Sequence, residues 1–256
     1  MNGKEQKNND LLLPGPKAVL ELLENSPGQL EHVFLRKDKN SGLCAKITDL
    51  CRANGVRFTL LEKAALDRMF AGNHQGVLGR INVVPSTSLQ TLLSMAPHCP
   101  LPLILALDQI QDPGNAGALA RTLYALGGAG IILPKHNTTY LGAAALKASA
   151  GALPLLTVCR VPNLKDALQE AASTNFTLYS AQSQSENLAA TNLFEVRLNL
   201  PAVLVLGNEQ KGIRPGVLRA EPTPLYIPFG RKFDSLNVAQ AGAIFMAAFA
   251  AGNRQS

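Results

Sequence analysis

The sequence predicts an α/β protein with a mostly parallel sheet flanked by helices, preceded by a smaller α/β domain. The length of the chain favours two domains, and its hydrophobic pattern favours the parallel sheet. The chain has 256 residues, enough for one large or two small domains. In its second half, short apolar runs alternate with helical segments, beginning with an unbroken apolar run at 103–107 of the kind buried on both faces of a sheet. Such alternation is typical of a parallel sheet with helices on both sides.

The charge of the chain favours a polyanionic partner. A net charge of +6 suits nucleic acid, although a merely soluble basic protein explains the charge alone equally well. The four cysteines form no CxxC pair and the four histidines no HExxH pattern, so we expect reduced thiols and no metal site. Neither a signal peptide nor an apolar run of membrane-spanning length is visible, which predicts a soluble cytoplasmic protein.

The domain boundaries are predicted from composition. Residues 1–10 are polar and charged, and we expect a disordered tail. Residues 11–84 are predicted to form the small α/β domain, with a helix that Gly15-Pro16 opens and strands at 32–35, 56–61 and 76–84. Prolines and Ser/Thr residues at 85–101 predict an inter-domain linker. The second domain is then 102–254.

The first candidate site is the segment 112–121, which reads Asp-Pro-Gly-Asn-Ala-Gly-Ala-Leu-Ala-Arg. Asn115 stands where a helix N-cap belongs, and Gly117 and Arg121 are four residues apart on one helical face. The glycine would leave room for a bulky group to approach the guanidinium, whose planar fork suits phosphate. The segment therefore predicts a clamp on a phosphate or ribose. An ordinary cap and a solvated arginine are the alternative.

The second candidate site follows the predicted strand at 202–206. The segment 206–213 fits neither GxxxxGK[ST] nor GxGxxG. It offers Gly207 and Gly212, which would let backbone amides approach a ligand, and Glu209, a carboxylate at a strand end. A plain strand-to-helix turn is the alternative.

The third candidate site joins Ile227-Pro228 to the segment 234–237. Ser235 or Asp234 is expected to cap the terminal helix, which is predicted to be buried on every side. Capping does not account for Asn237, so we expect this amide to face a pocket or to bond another loop. The second and third sites follow strands predicted to lie side by side, where open α/β sheets bind ligands.

Taken in order, the patterns NxGxxxR, GNExxG and IP…SLN resemble the three signature motifs of the SpoU (TrmH) class of SPOUT RNA 2′-O-ribose methyltransferases. The resemblance covers the whole second domain, including 147–152. The first domain, with 15–23 and 74–77, looks like the substrate-binding module of ribosomal-protein-like fold in this family. The layout is most similar to members that methylate a guanosine of 23S rRNA.

The resemblance implies a cofactor, a partner and a set of site residues. It implies S-adenosylmethionine, bound in loops of a C-terminal trefoil knot, an RNA substrate, and a homodimer with the active site near its interface. The cofactor contacts carried over by the motifs are Gly207, Ile227, Leu236 and, near the cofactor, Ser180. The catalytic residues carried over are Asn115, Arg121, Glu209, Ser235 and Asn237.

Two departures from the family pattern bear on the substrate. Ala239 stands where SLNVS would carry a serine, and the segment 231–234, Arg-Lys-Phe-Asp, is larger and more charged than in relatives. Three other functions compete with the leading one. These are a tRNA ribose methyltransferase, a ribosome-assembly factor of the same fold that lacks catalysis, and a dinucleotide-dependent enzyme, which the missing GxGxxG disfavours.

Overall fold

The computed structural model describes residues 12–37, 42–81, 84, 86–183, 189–208, 210–231 and 235–253. The predicted tail, Glu209 and Asp234 lie outside these ranges. The chain divides into two compact units, Met1–Pro85 and Ser86–Ser256, each of which is described by itself. None of the helices in the described ranges is long and apolar enough to cross a membrane.

The first unit is a four-stranded mixed sheet with helices on both faces. Its strands are β1 (Leu12–Pro14), β2 (Leu30–Arg36), β3 (Arg57–Leu61) and β4 (Val77–Ile81), in the order β1-β4-β2-β3. Its helices are α1 (Pro16–Asn25), α2 (Gly42–Asn54) and α3 (Lys63–Met69). Helices α1 and α2 bury apolar side chains with Val33 and Leu35 of β2, while Leu66 of α3 packs with Phe34 from the opposite face. The period of two along β2 thus places one core on each side of the sheet.

A row of polar side chains crosses the same sheet beside the α3 core. His32 of β2 lies opposite Arg57 on one neighbouring strand and opposite Arg80 on the other. Burial, reinforced by the two guanidinium groups, lowers the pKa of His32 to about 4. The imidazole is therefore neutral near pH 7, and its Nε2 lies 2.8 Å from Thr59 Oγ1.

The second unit is an eight-stranded sheet in which every described strand pair is parallel. The strands are β5 (Ser86–Thr87), β6 (Leu101–Leu107), β7 (Gly128–Pro134), β8 (Thr157–Val161), β9 (Thr177–Ala181), β10 (Thr191–Asn192), β11 (Ala202–Leu206) and β12 (Thr223–Tyr226). The helices are α4 (Leu89–Met95), α5 (Pro113–Ala125), α6 (Ala143–Ala148), α7 (Leu164–Ser173), α8 (Pro215–Leu218) and α9 (Val238–Asn253). The predicted parallel α/β sheet is confirmed. The trefoil knot implied by the resemblance stays a prediction.

The order of the strands creates a switch point at the middle of this sheet. The order is β10-β12-β9-β11-β6-β7-β8-β5, so the chain leaves β6 towards β7 and β8 on one side and returns to β9 and β11 on the other. The reversal falls between β6 and β11, both of which are fully buried apart from Pro102. Open parallel sheets bind ligands in the crevice that such a reversal leaves at the carboxyl ends of the strands.

The predicted position of the second and third sites differs from the structure. Strands β11 and β12 are not side by side, because β9 lies between them and pairs with both. The order of the strands along the chain does not reveal this arrangement, because β9 precedes both β11 and β12 in the sequence but lies between them in the sheet.

The segment predicted as a linker is part of the second unit. It contains β5, which pairs with β8, and α4, which Ser88 caps by accepting a hydrogen bond from the Thr91 amide. Leu92 and Leu93 enter a hydrophobic core of the second unit. Pro97 and Pro100, two of the prolines that predicted a linker, follow α4, where proline is tolerated, and the apolar run at 89–93 was the stronger signal.

The terminal helix was predicted to be buried on every side, and this prediction is wrong. Helix α9 buries one face through Gly242, Phe245 and Phe249, but Gln240 and Ala247 are exposed on the other. A run of alanines is apolar and therefore predicts a buried helix. Alanine is also small, so its exposure at the surface costs little free energy.

Close packing of α5 on α6 explains Gly117. A Cβ atom at this position would lie 2.4 Å from the Ala145 carbonyl oxygen and 2.7 Å from Ala148 Cβ. The sequence predicted that Gly117 leaves room for a bulky group to approach Arg121. Helix α6 occupies that room, so the interpretation of Gly117 as part of a clamp is wrong.

We predict that Gly117→Ala destabilises the second unit by about 1–3 kcal/mol, because the added methyl group must displace a backbone carbonyl. Chemical denaturation measures the change. The control is Gly216→Ala in α8, where a Cβ atom would meet nothing within 4 Å. A Gly117→Ala protein as stable as this control would contradict the packing described for α5 and α6.

Candidate active site

A pocket of about 520 Å³ opens at the carboxyl ends of β6 and β11, at the switch point of the sheet. The described residues that line it are Gln109, Gln111, Asp112, Asn115, Asn208, Gln210 and Lys211. The first candidate segment and the second, nearly one hundred residues apart in the chain, thus meet at one crevice. Each follows a strand that pairs directly with the other strand, which is why their loops are adjacent.

Asp112, and not Asn115, caps helix α5. The Asp112 Oδ2 accepts a hydrogen bond of 2.7 Å from the Asn115 amide nitrogen, and Pro113 occupies the first helical position. Because Asp112 carries out the capping, the Asn115 side chain is available for another contact. The predicted N-cap was displaced by three residues.

Asn237 caps helix α9 and also bonds the first candidate segment. Its Oδ1 accepts a hydrogen bond of 2.9 Å from the Ala239 amide, so the cap is Asn237 and not Ser235. Its Nδ2 donates a hydrogen bond of 3.1 Å to Asn115 Oδ1. Asn237 was expected to face a pocket or to bond another loop; its partner is instead in the first turn of helix α5. This single contact links the first and third candidate sites across 122 residues of chain.

The second candidate segment is a tight loop that is closed on itself. Asn208 and Gly212 exchange two backbone hydrogen bonds of 3.0 and 2.9 Å. A Cβ atom on Gly207 would lie 2.4 Å from the Gly212 carbonyl carbon, so glycine is required here by the loop's own backbone and not by an approaching ligand. The Asn208 Oδ1 accepts from the amides of Gln210 and Lys211. These bonds hold the pocket wall in one conformation.

Two further contacts attach this loop to the end of β6. The Asn208 Nδ2 donates to the Gln109 carbonyl oxygen at 3.1 Å. The Asp108 carboxylate, which is 0% exposed, accepts from the Arg214 amide at 2.8 Å and from Arg214 Nε at 2.7 Å. The Arg214 Nη2 lies 2.6 Å from the same carboxylate. A buried carboxylate requires such partners, since an unpaired one would be strongly destabilising.

Asp108 and Arg214 were missed by reasoning from the sequence. Two signals were present: a lone acidic residue that directly follows an apolar strand, and an arginine just before Pro215 at the start of α8. Neither signal names the other residue as its partner, because the two positions are 106 residues apart.

The remaining predicted catalytic residues are placed less closely together. Arg121 is exposed on α5, six residues beyond Asn115 and hence on a different face of the helix, and it is not among the described residues that line the pocket. Ser235 is exposed immediately before α9. Glu209 lies outside the described residues. Within one chain, the structure therefore brings together Asn115 and Asn237.

Three of the four predicted cofactor contacts stand at one edge of the sheet. Gly207 follows β11, Ser180 lies in β9 and Ile227 follows β12, and these three strands are neighbours in a parallel arrangement. Ile227 and Leu236 are partly exposed apolar side chains, as an adenine slot requires. Ser180 is 0% exposed, and its Oγ accepts a hydrogen bond from Gln182 Nε2. This serine therefore supports the strand end and has no open surface towards a ligand.

These features define a class of α/β protein with a polar pocket of ligand size at the switch point of a parallel sheet. The described residues contain no group of three or more His, Cys, Asp or Glu side chains that could hold a metal ion. Residues 102–247 match the model of the SpoU rRNA methylase family. Residues 12–86 match the model for RNA 2′-O ribose methyltransferase substrate binding. The chain belongs to the SpoU family of RNA 2′-O-ribose methyltransferases.

Known proteins of similar sequence and fold agree with this membership. The chain is 29% identical over 233 residues to YacO of Bacillus subtilis, named as a TrmH family tRNA/rRNA methyltransferase, and covers 92% of that protein and 91% of itself. It is 28% identical over 231 residues to the 23S rRNA (guanosine-2′-O-)-methyltransferase RlmB of Haemophilus influenzae, covering 93% of that protein and 90% of itself. The crystal structure of the SpoU methyltransferase AviRb from Streptomyces viridochromogenes, in complex with AdoMet, has the same fold, with a TM-score of 0.59, 19% identity and 100% coverage of both chains.

We predict that Asp108→Asn loosens the loop at 207–214, because Arg214 loses the charge that holds it. The free energy of unfolding is expected to fall by about 1–3 kcal/mol. Amide hydrogen exchange at 210–214 is expected to accelerate.

The matched control is Asp166→Asn, an exposed position in the first turn of α7. It is expected to cost less than about 1 kcal/mol. If Asp108→Asn exchanges and unfolds as this control does, the buried ion pair is not what fixes the loop.

Proposed function

We propose that this chain transfers a methyl group from S-adenosylmethionine to the ribose 2′-hydroxyl of a guanosine in 23S rRNA. The observation that supports it most directly is the hydrogen bond from Asn237 to Asn115, which joins two family motifs at the mouth of the switch-point pocket. The name of the RlmB relative supports the substrate, since the similarity to it extends over both units of the chain.

The cofactor would be held at the edge of the sheet formed by β11, β9 and β12. Gly207, Ile227 and Leu236 are the proposed contacts, with Ser180 behind the strand end. The partly exposed Ile227 and Leu236 would contact the adenine ring, and main-chain groups at the strand ends would bond its polar edge. When bound, S-adenosylmethionine supplies an electrophilic methyl group on a sulfonium centre.

The proposed catalytic residues are Asn115, Arg121, Glu209, Ser235 and Asn237. The Asn115–Asn237 pair fixes the first turn of α5 relative to α9, so that a bound ribose meets a rigid wall. Ser235 orients the ribose, and Glu209 orients the loops. Arg121 lies on a different face of α5 from Asn115, so it would act in the site of the second copy in a homodimer. There it binds the adjacent phosphate and stabilises the forming alkoxide, because a guanidinium hardly loses its proton in a protein and is a poor base.

The proposed assembly is a homodimer that uses the surface of α5 and α9. Arg121 is exposed on α5, and one turn further Tyr124 is 45% exposed and offers an aromatic ring that a partner could cover. Helix α9 packs against α5 and presents Ala247 and Ala251 at the surface, where small side chains permit close approach of a second copy.

We expect the protein to sediment as a dimer at micromolar concentration and Tyr124→Glu to sediment as a monomer, because a buried carboxylate would oppose association. The control is Phe194→Glu, which changes another exposed aromatic residue of the second unit, on a different segment. A wild-type protein that sediments as a monomer overturns the proposed dimer.

The experiment that tests the activity is a map of ribose methylation in 23S rRNA from cells with and without the gene. It is complemented by purified protein with S-adenosylmethionine and unmodified 23S rRNA. We expect one guanosine to lose its 2′-O-methyl group without the gene and to regain it in vitro. Methylation of tRNA instead would establish the alternative that the name of the YacO relative suggests.

Arg121→Lys is predicted to lower kcat at least about tenfold, because lysine keeps the charge but lacks the planar fork that binds phosphate through two parallel hydrogen bonds. The matched control is Arg219→Lys, an exposed arginine at the end of α8, which should leave kcat unchanged. Turnover of Arg121→Lys at the wild-type rate would show that Arg121 has no such role.

A further inference from the structure

The lining of the switch-point pocket suits a hydrogen-bonding ligand and not the adenine of a methyl donor. Five of its seven described lining residues carry a side-chain amide, and the other two are Asp112 and Lys211. A carboxamide both donates and accepts hydrogen bonds. An adenine ring stacks best in an apolar slot, and no apolar side chain is among the described residues that line this pocket.

Not all of these amides are available to a ligand. Asn115 is bonded to Asn237, and both polar atoms of the Asn208 side chain are bonded to backbone groups of the two loops. In the part of the chain that the structure describes, the side-chain amides of Gln109 and Gln111 have no hydrogen-bond partner. Both residues line the pocket, one on each side of Ile110, which is buried and anchors the segment.

The backbone of Gln109 is held in an unfavourable conformation. Its φ of 58° lies in the left-handed region, which glutamine seldom adopts. The hydrogen bond from Asn208 to its carbonyl oxygen stabilises this conformation, and Asn208 is in turn fixed within its own loop. Residues kept in such conformations are enriched at ligand-binding sites. Because its backbone is held in place, the side chain of Gln109 stays on the pocket wall.

We propose that Gln109 and Gln111 recognise the base of the target nucleoside, and that the pocket holds this nucleoside while the methyl donor lies at the neighbouring sheet edge. The inference rests on the proposed activity and extends it to specificity. One carboxamide can match the O6 acceptor and the N1–H donor of guanine with two hydrogen bonds, and the second can accept a hydrogen bond from the 2-amino group, which adenine lacks. A volume of about 520 Å³ is within the range of pockets that take ligands of this size.

The test compares three RNA fragments that carry the mapped target site with guanosine, inosine or adenosine at the target position. Inosine lacks the 2-amino group, and adenosine changes both the donors and the acceptor at the pairing edge. The variants are Gln109→Ala and Gln111→Ala. The control is Gln169→Ala, an exposed glutamine on α7 of the same unit. For each protein, kcat/KM is measured on each RNA, and the dissociation constant of S-adenosylmethionine is measured by calorimetry.

We expect the wild-type protein and the control to prefer guanosine over the other two RNAs. Gln109→Ala and Gln111→Ala are each expected to lower kcat/KM on guanosine about tenfold and to reduce this preference, because an unpaired polar edge of the base is left in the pocket. Affinity for S-adenosylmethionine is expected to remain unchanged. Gln109→Asn introduces a side chain that tolerates the left-handed backbone and has a shorter reach, and it should show the same loss if Gln109→Ala fails to fold.

Two outcomes would overturn the inference while leaving the activity intact. In the first, the variants methylate guanosine with the wild-type preference. In the second, the variants lose affinity for S-adenosylmethionine and keep the preference, which would make the pocket the site of the methyl donor. Absence of methylation by the wild-type protein on every RNA would instead contradict the proposed function itself.

Discussion

The buried carboxylate of Asp108 is the constraint on which the site depends. A charge with no solvent exposure at the end of β6 must be matched by donors, and the chain provides them from Arg214, beyond the loop that follows β11. Because the carboxylate bonds both the backbone and the side chain of Arg214, it fixes where that loop ends. The loop's starting point is fixed by the pairing of β11 with β6. The residues of the pocket wall between these two points therefore have little conformational freedom.

The general architecture could be predicted from the sequence because it depends on local patterns. Buried parallel strands are short apolar runs, and the run that became β6 is recognisable by itself. Strand order is different, since it depends on which distant segments pair. The insertion of β9 between β11 and β12 is decided by packing of the whole sheet, and no local pattern along any of the three strands records it.

The sequence predicted which residues belong to the candidate site better than it predicted the contacts between them. Asn115 and Asn237 were selected as polar residues at helix starts, and they do bond each other. Their individual roles differ from the prediction, because Asp112 caps α5 and Asn237 caps α9. Several residues near a helix start are able to cap it, and the choice among them depends on backbone angles that a sequence does not display. Glycines carry the same ambiguity, since Gly117 and Gly207 are required by neighbouring backbone and not by a ligand.

The place of β5 and α4 within the second unit has a practical consequence for dissecting the protein. The family match begins at residue 102, which invites a catalytic fragment that starts there. Such a fragment would remove the edge strand that pairs with β8 and would remove Leu92 and Leu93 from a hydrophobic core of the second unit, leaving apolar surface open to water. A fragment that starts at Ser86 retains this layer, so any separate expression of the two halves should divide the chain between residues 85 and 86.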